Sequence, residues 1–161
     1  MAIDALDYRE AMSRYAGHVQ IITTRFGDNT RGTTITAACS VSDQPPMLLA
    51  CVNNQNENNQ PFFQSDSFVL NTLGAQHQEL AGAFAGFGKL TSEERFALGT
   101  WEIGVTGAPI LTNAITAYEC RIVDRKITAS HTVLFGEVIG LKMGDKTASL
   151  LYLGRDFHTV E

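Results

Sequence analysis

Between Arg31 and Pro46 the chain reads RGTTITAACSVSDQPP, a run of Thr, Ser, Ala and Gly set between two apolar runs that have the pattern of strands. Side chains this small leave the backbone open, so a flat ligand can lie close against it. Ser40, Val41 and Ser42 stand where a strand must leave its ladder ahead of Pro45 and Pro46. Their hydroxyls and freed amides are a set that can hold a phosphate without a helix dipole. A partly solvated edge strand, with Thr in its preferred β setting, accounts for the same residues. On pattern alone both readings stand.

Other chemistry finds less support. No glycine-rich GxGxxG follows a strand, GAFAGFG has the wrong spacing, and neither a Walker A loop nor a GxSxG elbow occurs. The histidines His18, His77, His131 and His158 are far apart and lack metal-ligand spacing, so no metal is expected. Cys39, Cys51 and Cys120 form no CxxC pair and sit among apolar or small residues, which fits small buried side chains and not a disulfide or zinc site.

These residues must be positioned by strands. Asp4 or Asp7 can cap an opening helix with Met12, Tyr15 and Ala16 on one face. Val19–Arg25 alternates as a strand, the FGDNT segment suits a hairpin turn, and RGTTITAAC is the return strand, broken by Pro45–Pro46. Met47–Asn53 is apolar throughout and reads as a central strand, followed by a polar, amide-rich loop. Ser67–Leu73 is a further strand, Gln76–Phe84 a helix, and Thr91-x-x-Glu94 a capping box that opens a short helix ending near Phe96. Ile115–Ile127 and His131–Met143 are two long strands, with Val133, Phe135, Ile139 and Leu141 of the second on a common face. LLYLGRDFH adds a last short strand and turn. Strands in hairpin order, without regular βαβ alternation, predict a mainly β fold with short helices: an antiparallel barrel and not a Rossmann sheet.

The 161 residues suffice for one domain, 1–161, with its own core. Hydrophobic residues make up 44% and charged residues 18%, as in globular proteins. A net charge of −5 argues against a nucleic-acid binder that works by neutralising phosphates. No run approaches a membrane span, and MAIDALDYRE has no signal-peptide pattern, so a cytoplasmic location is expected.

The chain also resembles the short-chain flavin reductases, the reductase components of two-component flavin monooxygenases such as 4-hydroxyphenylacetate 3-monooxygenase. The resemblance spans nearly the whole chain. It begins with Tyr8-Arg9-x-Ala11-Met12 and Ile21-Ile22-Thr23-Thr24. Gly32-x-Thr34-x-Thr36-Ala37-x-Cys39-Ser40-Val41-Ser42-Asp43-x-Pro45-Pro46 is similar to the family's flavin-binding signature. Gln78-x-Leu80-Ala81-x-x-Phe84-Ala85-Gly86, Glu94-Arg95-Phe96 and Gly107-Ala108-Pro109-Ile110-Leu111 follow. Ser130-His131-Thr132 and Gly154-Arg155-Asp156-Phe157-His158 complete it.

That resemblance implies an FMN-binding split barrel, a homodimer, and hydride transfer from NADH or NADPH to FAD or FMN. Reduced flavin would diffuse to a partner monooxygenase. Thr34, Thr36 and Ala37 would line the isoalloxazine and ribityl chain, and Ser40, Val41 and Ser42 would hold phosphate. Cys51, Val52 and Asn53 would complete the pocket, Asn58 would close its loop, and Lys89 and Phe96 would reach the outer flavin. His131, as nicotinamide contact or proton partner, and the turn of Arg155, Phe157 and His158 would serve NAD(P)H. The cofactors carry such a reaction themselves and the protein positions them, so no nucleophile or strong base is needed.

The amide-rich loop Asn53–Gln60 departs from the Ser, Thr or Arg common in the family, and Ser130 stands where many members have an acid. These departures leave FAD against FMN and NADH against NADPH open. Two alternatives remain beside the reductase that releases flavin: a flavin-retaining reductase of another acceptor, such as a cobalt(II) corrinoid, and a flavin- or haem-binding barrel without turnover.

Overall fold

The computed structural model describes all 161 residues. Its main body is a seven-stranded antiparallel sheet in the order β3-β2-β6-β9-β10-β5-β4. The strands are β2 Gln20–Phe26, β3 Asn29–Ile35, β4 Ala38–Asp43, β5 Pro46–Asn53, β6 Ser67–Thr72, β9 Thr116–Ile127 and β10 His131–Met143. Strand β1 (Gly17–His18) joins β11 (Ser149–Leu153) and β12 (Asp156–Val160) in a three-stranded sheet, and β7 (Trp101–Ile103) pairs β8 (Pro109–Leu111). Strands β3 and β4 stand at opposite ends of the strand order, and only Thr36 and Ala37 separate them in the chain. The split antiparallel barrel expected from the sequence is therefore the fold observed, and its split falls inside the small-residue stretch.

Burial explains why the order holds. Every residue of β6 is buried, and Ile22, Leu48, Ala50, Val52, Phe62, Phe68, Leu70, Cys120 and Leu134 form one core cluster inside the barrel. A second cluster, with Val19, Ile21, Leu73, Leu80 and Phe84, seats helix α3 (Gln78–Phe84) on the other side of β2 and β6. The buried Asn71 ties these layers: its amide donates to the Ile21 carbonyl at 2.9 Å and accepts the Leu111 N–H at 2.9 Å. Satisfying a buried amide in this way avoids a desolvation cost of about 1–3 kcal/mol.

Local chemistry sets the helices. Asp4 caps α1 (Ala5–Ser13) by accepting the Leu6 N–H at 2.6 Å. The Thr91–Glu94 capping box opens α4 (Ser92–Ala97) as expected. Gly32 lets β3 approach these helices closely, because a Cβ there would lie 2.7 Å from the Phe84 ring and 3.3 Å from Phe96. Phe84, Phe96 and Trp101 meet edge to face with centroids 4.9–5.7 Å apart. Such pairs add about 0.5–1.5 kcal/mol each beyond area burial.

Several expectations need correction. RGTTITAAC is not one return strand: it bends at Thr36–Ala37 and continues as β4. Pro45–Pro46 do not end strand pairing. They form the tip of the β4–β5 hairpin, where Asp43 pairs with Pro46, a strand-end position at which a missing N–H costs little. Met47–Asn53 is not central: β5 lies second from the edge and alternates buried with half-exposed residues, so its continuous apolar look is not two-sided burial. The amide-rich loop contains a turn of 3-10 helix and a short helix α2 (Gln60–Gln64), with Pro61 in its first turn. Helix α1 buries no residue, so Met12 and Tyr15 face outward. On β10 the buried face is Thr132, Leu134 and Gly136, while Ile139 and Leu141 are exposed. The last short strand and turn expected in LLYLGRDFH are β11 and the turn at Gly154–Arg155, after which the chain returns as β12, whereas the short pair β7–β8 has too few residues to show a pattern.

Candidate functional site

The bend at Thr36–Ala37 opens a hollow of about 360 Å³ against the end of β5 and the start of β10. Its walls include Thr34, Thr36, Ala37, Cys51, Asn53 and His131. These positions come together because His131 pairs with Asn53 and Val133 with Cys51, while the Cys51 N–H donates to the Ala37 carbonyl at 2.9 Å. Thr36 and Ala37 are exposed, so the hollow opens to solvent on the side of the bend. Six residues assigned from the sequence thus line one hollow.

Their polar groups are held in place. The Thr34 hydroxyl donates to the Ala81 carbonyl of α3 at 2.7 Å, which fixes the strand and turns that hydroxyl away from a ligand. The Asn59 amide donates to the Asn53 carbonyl at 2.9 Å, so the amide-rich loop forms the floor beside Asn56. His131 Nδ1 lies 2.8 Å from the Ser130 hydroxyl, and its backbone carbonyl accepts from Thr128 N–H and Oγ1. Burial, and then the nearby Cys39, pushes the Cys51 thiol up, so this wall stays neutral at physiological pH. A hollow with small neutral walls and one imidazole at its edge suits a planar, polar-rimmed ring.

The remaining assigned residues lie elsewhere. Ser40 and Ser42 line a second hollow of about 460 Å³ at the barrel mouth, together with His18, Leu48, Leu70 and Tyr118. Val41 falls where the β4–β5 register shifts, and it is exposed. Val52 points into the barrel core and is fully buried. Asn58 lines a third cleft of about 510 Å³ together with Arg31 and Arg95, neither of which forms an ion pair. Lys89 sits in the exposed turn after α3 with a positive φ of 52°, and Phe96 belongs to the aromatic trio.

The nicotinamide set is divided. Arg155 forms an ion pair with Glu10 at 2.9 Å, and that guanidinium draws the Glu10 carboxyl below its usual range. Phe157 packs edge to face on Tyr152 with centroids 5.4 Å apart. His158 Nε2 lies 2.9 Å from the Leu153 carbonyl. All three belong to the β11–β12 hairpin and none lines the hollow that holds His131.

Sequence reasoning passed over Thr33, Ile35, Asn56 and Asn59, which also line that hollow. The signal for Asn59 was present in the amide-rich loop itself: an amide run in a fold with few loops is a supply of donors and acceptors for a neighbouring hollow. His77 is buried and structural. Its Nδ1 accepts the Gly74 N–H at 2.9 Å and its Nε2 lies 3.0 Å from Asn113 Oδ1.

Residues 12–161 match the model of the flavin reductase like domain. The chain is 42% identical over 158 residues to a protein of Methylorubrum populi named FMN reductase (NADH) RutF, covering 98% of this chain and 77% of that one. Among solved structures it superimposes on the flavin reductase HpaC complexed with NADP+ with a TM-score of 0.87 and 26% identity, covering 98% of both chains. It superimposes equally well on the NADH:FAD oxidoreductase SgcE6 of Streptomyces globisporus, with a TM-score of 0.86, 26% identity and coverage of 98% and 95%.

Proposed function

From the premise that the chain belongs to the flavin reductase like domain family, we propose that it is an oxidoreductase that moves a hydride from NADH to FMN. The observation that carries this reading is the hollow at the β3–β4 bend, where small side chains of β3, the bend and β5 leave room for a planar ring and β10 sets one imidazole at its edge. The relatives named as NADH-dependent FMN reductases support the choice of nucleotides. Flavin supplies the hydride-accepting ring and the nicotinamide supplies the hydride.

The chain's own residues position these rings. Thr36 and Ala37 present short side chains on one wall, and Cys51 with Asn53 closes the other. The hydrogen bond from the Asn59 amide to the Asn53 carbonyl fixes the rim before binding and leaves the Asn53 side-chain NH2 as a donor for the ring's polar edge, so little reorganisation is needed. His131, oriented through Ser130, stands where a nicotinamide or a proton exchanged with the reduced ring would come. FAD and NADPH are the wider substrate range of this reading, and a flavin-dependent monooxygenase is the consumer of the reduced product. Three free cysteines support a cytoplasmic setting, and no helix is long and apolar enough to cross a membrane.

A homodimer belongs to the same reading. Leu6, Tyr8, Met12 and Tyr15 of the α1 region and Ile139, Leu141 and Met143 of β10 are exposed apolar side chains that a second copy would cover. A solution mass of one chain at micromolar concentration would remove that part.

The deciding experiment is steady-state oxidation of NADH and NADPH with FMN, FAD and riboflavin as acceptors. The expected result is NADH oxidation that rises with added FMN and saturates. Bound flavin without turnover would replace the reading with a carrier, and turnover only with a different acceptor would replace it with a flavin-retaining reductase.

A further inference from the structure

Helix α1 is held to its own chain by one side and is bare on the other. Glu10 forms an ion pair with Arg155 of the β11–β12 turn at 2.9 Å, and the Gly154 N–H donates to the Ser13 carbonyl at 2.7 Å. Tyr8 and Met12 stand one helical turn apart. Glu10 is two residues from each, about 200° round the helix, so they point away from that tether. The Tyr15 N–H donates to the Met12 carbonyl at 3.1 Å and carries the turn on to a third large side chain. All three are exposed, and the helix buries no residue. A helix tied down by its polar side with its apolar side in water is the reverse of what a lone chain favours.

The barrel mouth offers a surface of matching character. Its hollow of about 460 Å³ is lined by the buried Leu48 and Leu70 and by Tyr118, Val138 and Leu141. Asp43 is the one acid on this wall, no Lys or Arg stands there, and Asp43 forms no ion pair. Arg9, next to Tyr8 on α1, is exposed and forms none either. An apolar stripe flanked by a free cation thus has its complement in an apolar hollow rimmed by a free acid.

The helix does not close this hollow in its own chain: no residue of α1 lines it, and the ties at Glu10 and Ser13 hold the stripe outward. Yet only Arg14–Gly17 separate α1 from His18, which stands on the hollow's wall. Stripe and hollow are therefore neighbours on one side of the molecule. A two-fold interface needs that arrangement, because the same patch must give and receive at once.

We propose that a second copy of this chain occupies the hollow: the α1 stripe of each protomer seats in the barrel mouth of its partner, in a reciprocal exchange about a two-fold axis. This rests on the homodimer of the proposed reading and names the surfaces that make it. Leu141 belongs both to the hollow and to the exposed apolar strip of β10, so the seat is continuous with that strip. Arg9 of one protomer meets Asp43 of its partner at the rim, where a screened pair sets orientation more than affinity.

The test is sedimentation equilibrium of the full chain, of Met12→Glu, of Leu141→Glu, and of the two variants mixed in equal amounts. Both positions are exposed in the single chain, so the far-ultraviolet circular dichroism of each variant should match that of the natural protein. Each variant alone should raise the dimer dissociation constant by at least about tenfold, because a carboxylate enters an apolar contact. The mixture should dimerise more tightly than either variant alone, since a mixed pair keeps one contact between natural surfaces. Arg9→Glu and Asp43→Arg should each weaken the dimer by about twofold to fivefold, and the two together in one chain should restore it. A natural dimer indifferent to Met12→Glu overturns the proposal and leaves the homodimer standing. Weakening by Met12→Glu but not by Leu141→Glu, or no recovery in the mixture, places the stripe against another surface and overturns the exchange. A natural protein that stays a single chain at micromolar concentration overturns the homodimer and this contact together. NADH oxidation with FMN is read separately, so failure of the flavin reading would appear there and not in the dissociation constants.

Discussion

Two hollows flank the β4–β5 hairpin, and they differ in what surrounds them. The one at the β3–β4 bend is walled by Thr, Ala, Asn and Cys, with its backbone groups tied down and an unneutralised pair of cations next door. The one at the barrel mouth has Leu48, Leu70, Tyr118, Val138 and Leu141 on its wall and lies beside exposed apolar side chains of β10. The first has the donors a charged nucleotide needs. The second has the character of surface awaiting an apolar cover. A stretch of small residues is thus not a site along its whole length: its first half, to Ala37, faces the polar hollow, and its second half, from Ala38, faces the apolar one.

The largest expected effect breaks that contrast directly. Ala37→Trp places an indole in the polar hollow from an exposed position at the bend between β3 and β4, with little strain on the barrel core. FMN and riboflavin affinity should both fall by at least tenfold, about 1.4 kcal/mol, with the thermal midpoint nearly unchanged. Ser42→Trp should fill the other hollow and leave both affinities within about threefold. If Ser42→Trp abolished binding and Ala37→Trp did not, the ring would belong at the barrel mouth.

His131 sharpens the comparison on the rate side. It lines the polar hollow through its position opposite Asn53, and its imidazole is oriented by Ser130. His131→Ala should lower kcat for NADH oxidation by about a hundredfold, the lower end for loss of a positioned proton-transfer group. FMN affinity should change by less than about threefold. Equal losses in rate and in flavin affinity would make His131 a flavin contact and leave the nicotinamide without a partner on this wall.

These contrasts also show what the sequence could carry. Local chemistry was legible: the Thr91–Glu94 capping box, the Asp4 cap and the strand at Val19–Arg25 each depend on neighbours within a few residues. Parity was not. On β10 the alternation of Val133, Phe135, Ile139 and Leu141 looks like one core face, but the core takes the opposite parity, Thr132, Leu134 and Gly136, and the register shift at Val138/Gly140 leaves Ile139 as an extra residue that breaks the alternation ahead of Leu141. A bulge has no fixed residue signature, so a period-two reading runs past it. The site shows the same division. Thr34, Thr36, Ala37, Cys51, Asn53 and His131 were found through family resemblance and do converge. The pairing of Arg31 with Arg95 arises because Gly32 lets β3 lie close under α3 and α4, a contact between distant segments that no local pattern encodes.

The smallest expected effect concerns a histidine outside both hollows. His77 contrasts with His131 in being buried, with Nδ1 accepting the Gly74 N–H and Nε2 facing Asn113 Oδ1. That pattern fixes the neutral tautomer with its proton on Nε2, since a proton on Nδ1 would face another donor. Burial lowers its pKa, and the Asn113 hydrogen bond offsets only part of that. In the unfolded chain the imidazole takes its proton near pH 6.5, so below that pH the unfolded state binds more protons. The contribution to stability is complete above about pH 6.5 and is lost as pH falls from there toward the lower value in the fold. One such group adds a slope of at most about 1.4 kcal/mol per pH unit. Chemical denaturation between pH 7 and pH 5 should therefore show stability falling with acid, and His77→Gln should remove part of that slope even though its absolute stability is lower. An identical slope in the variant would mean that His77 does not stay neutral in the fold, and the contrast between a structural and a functional histidine would lose its basis.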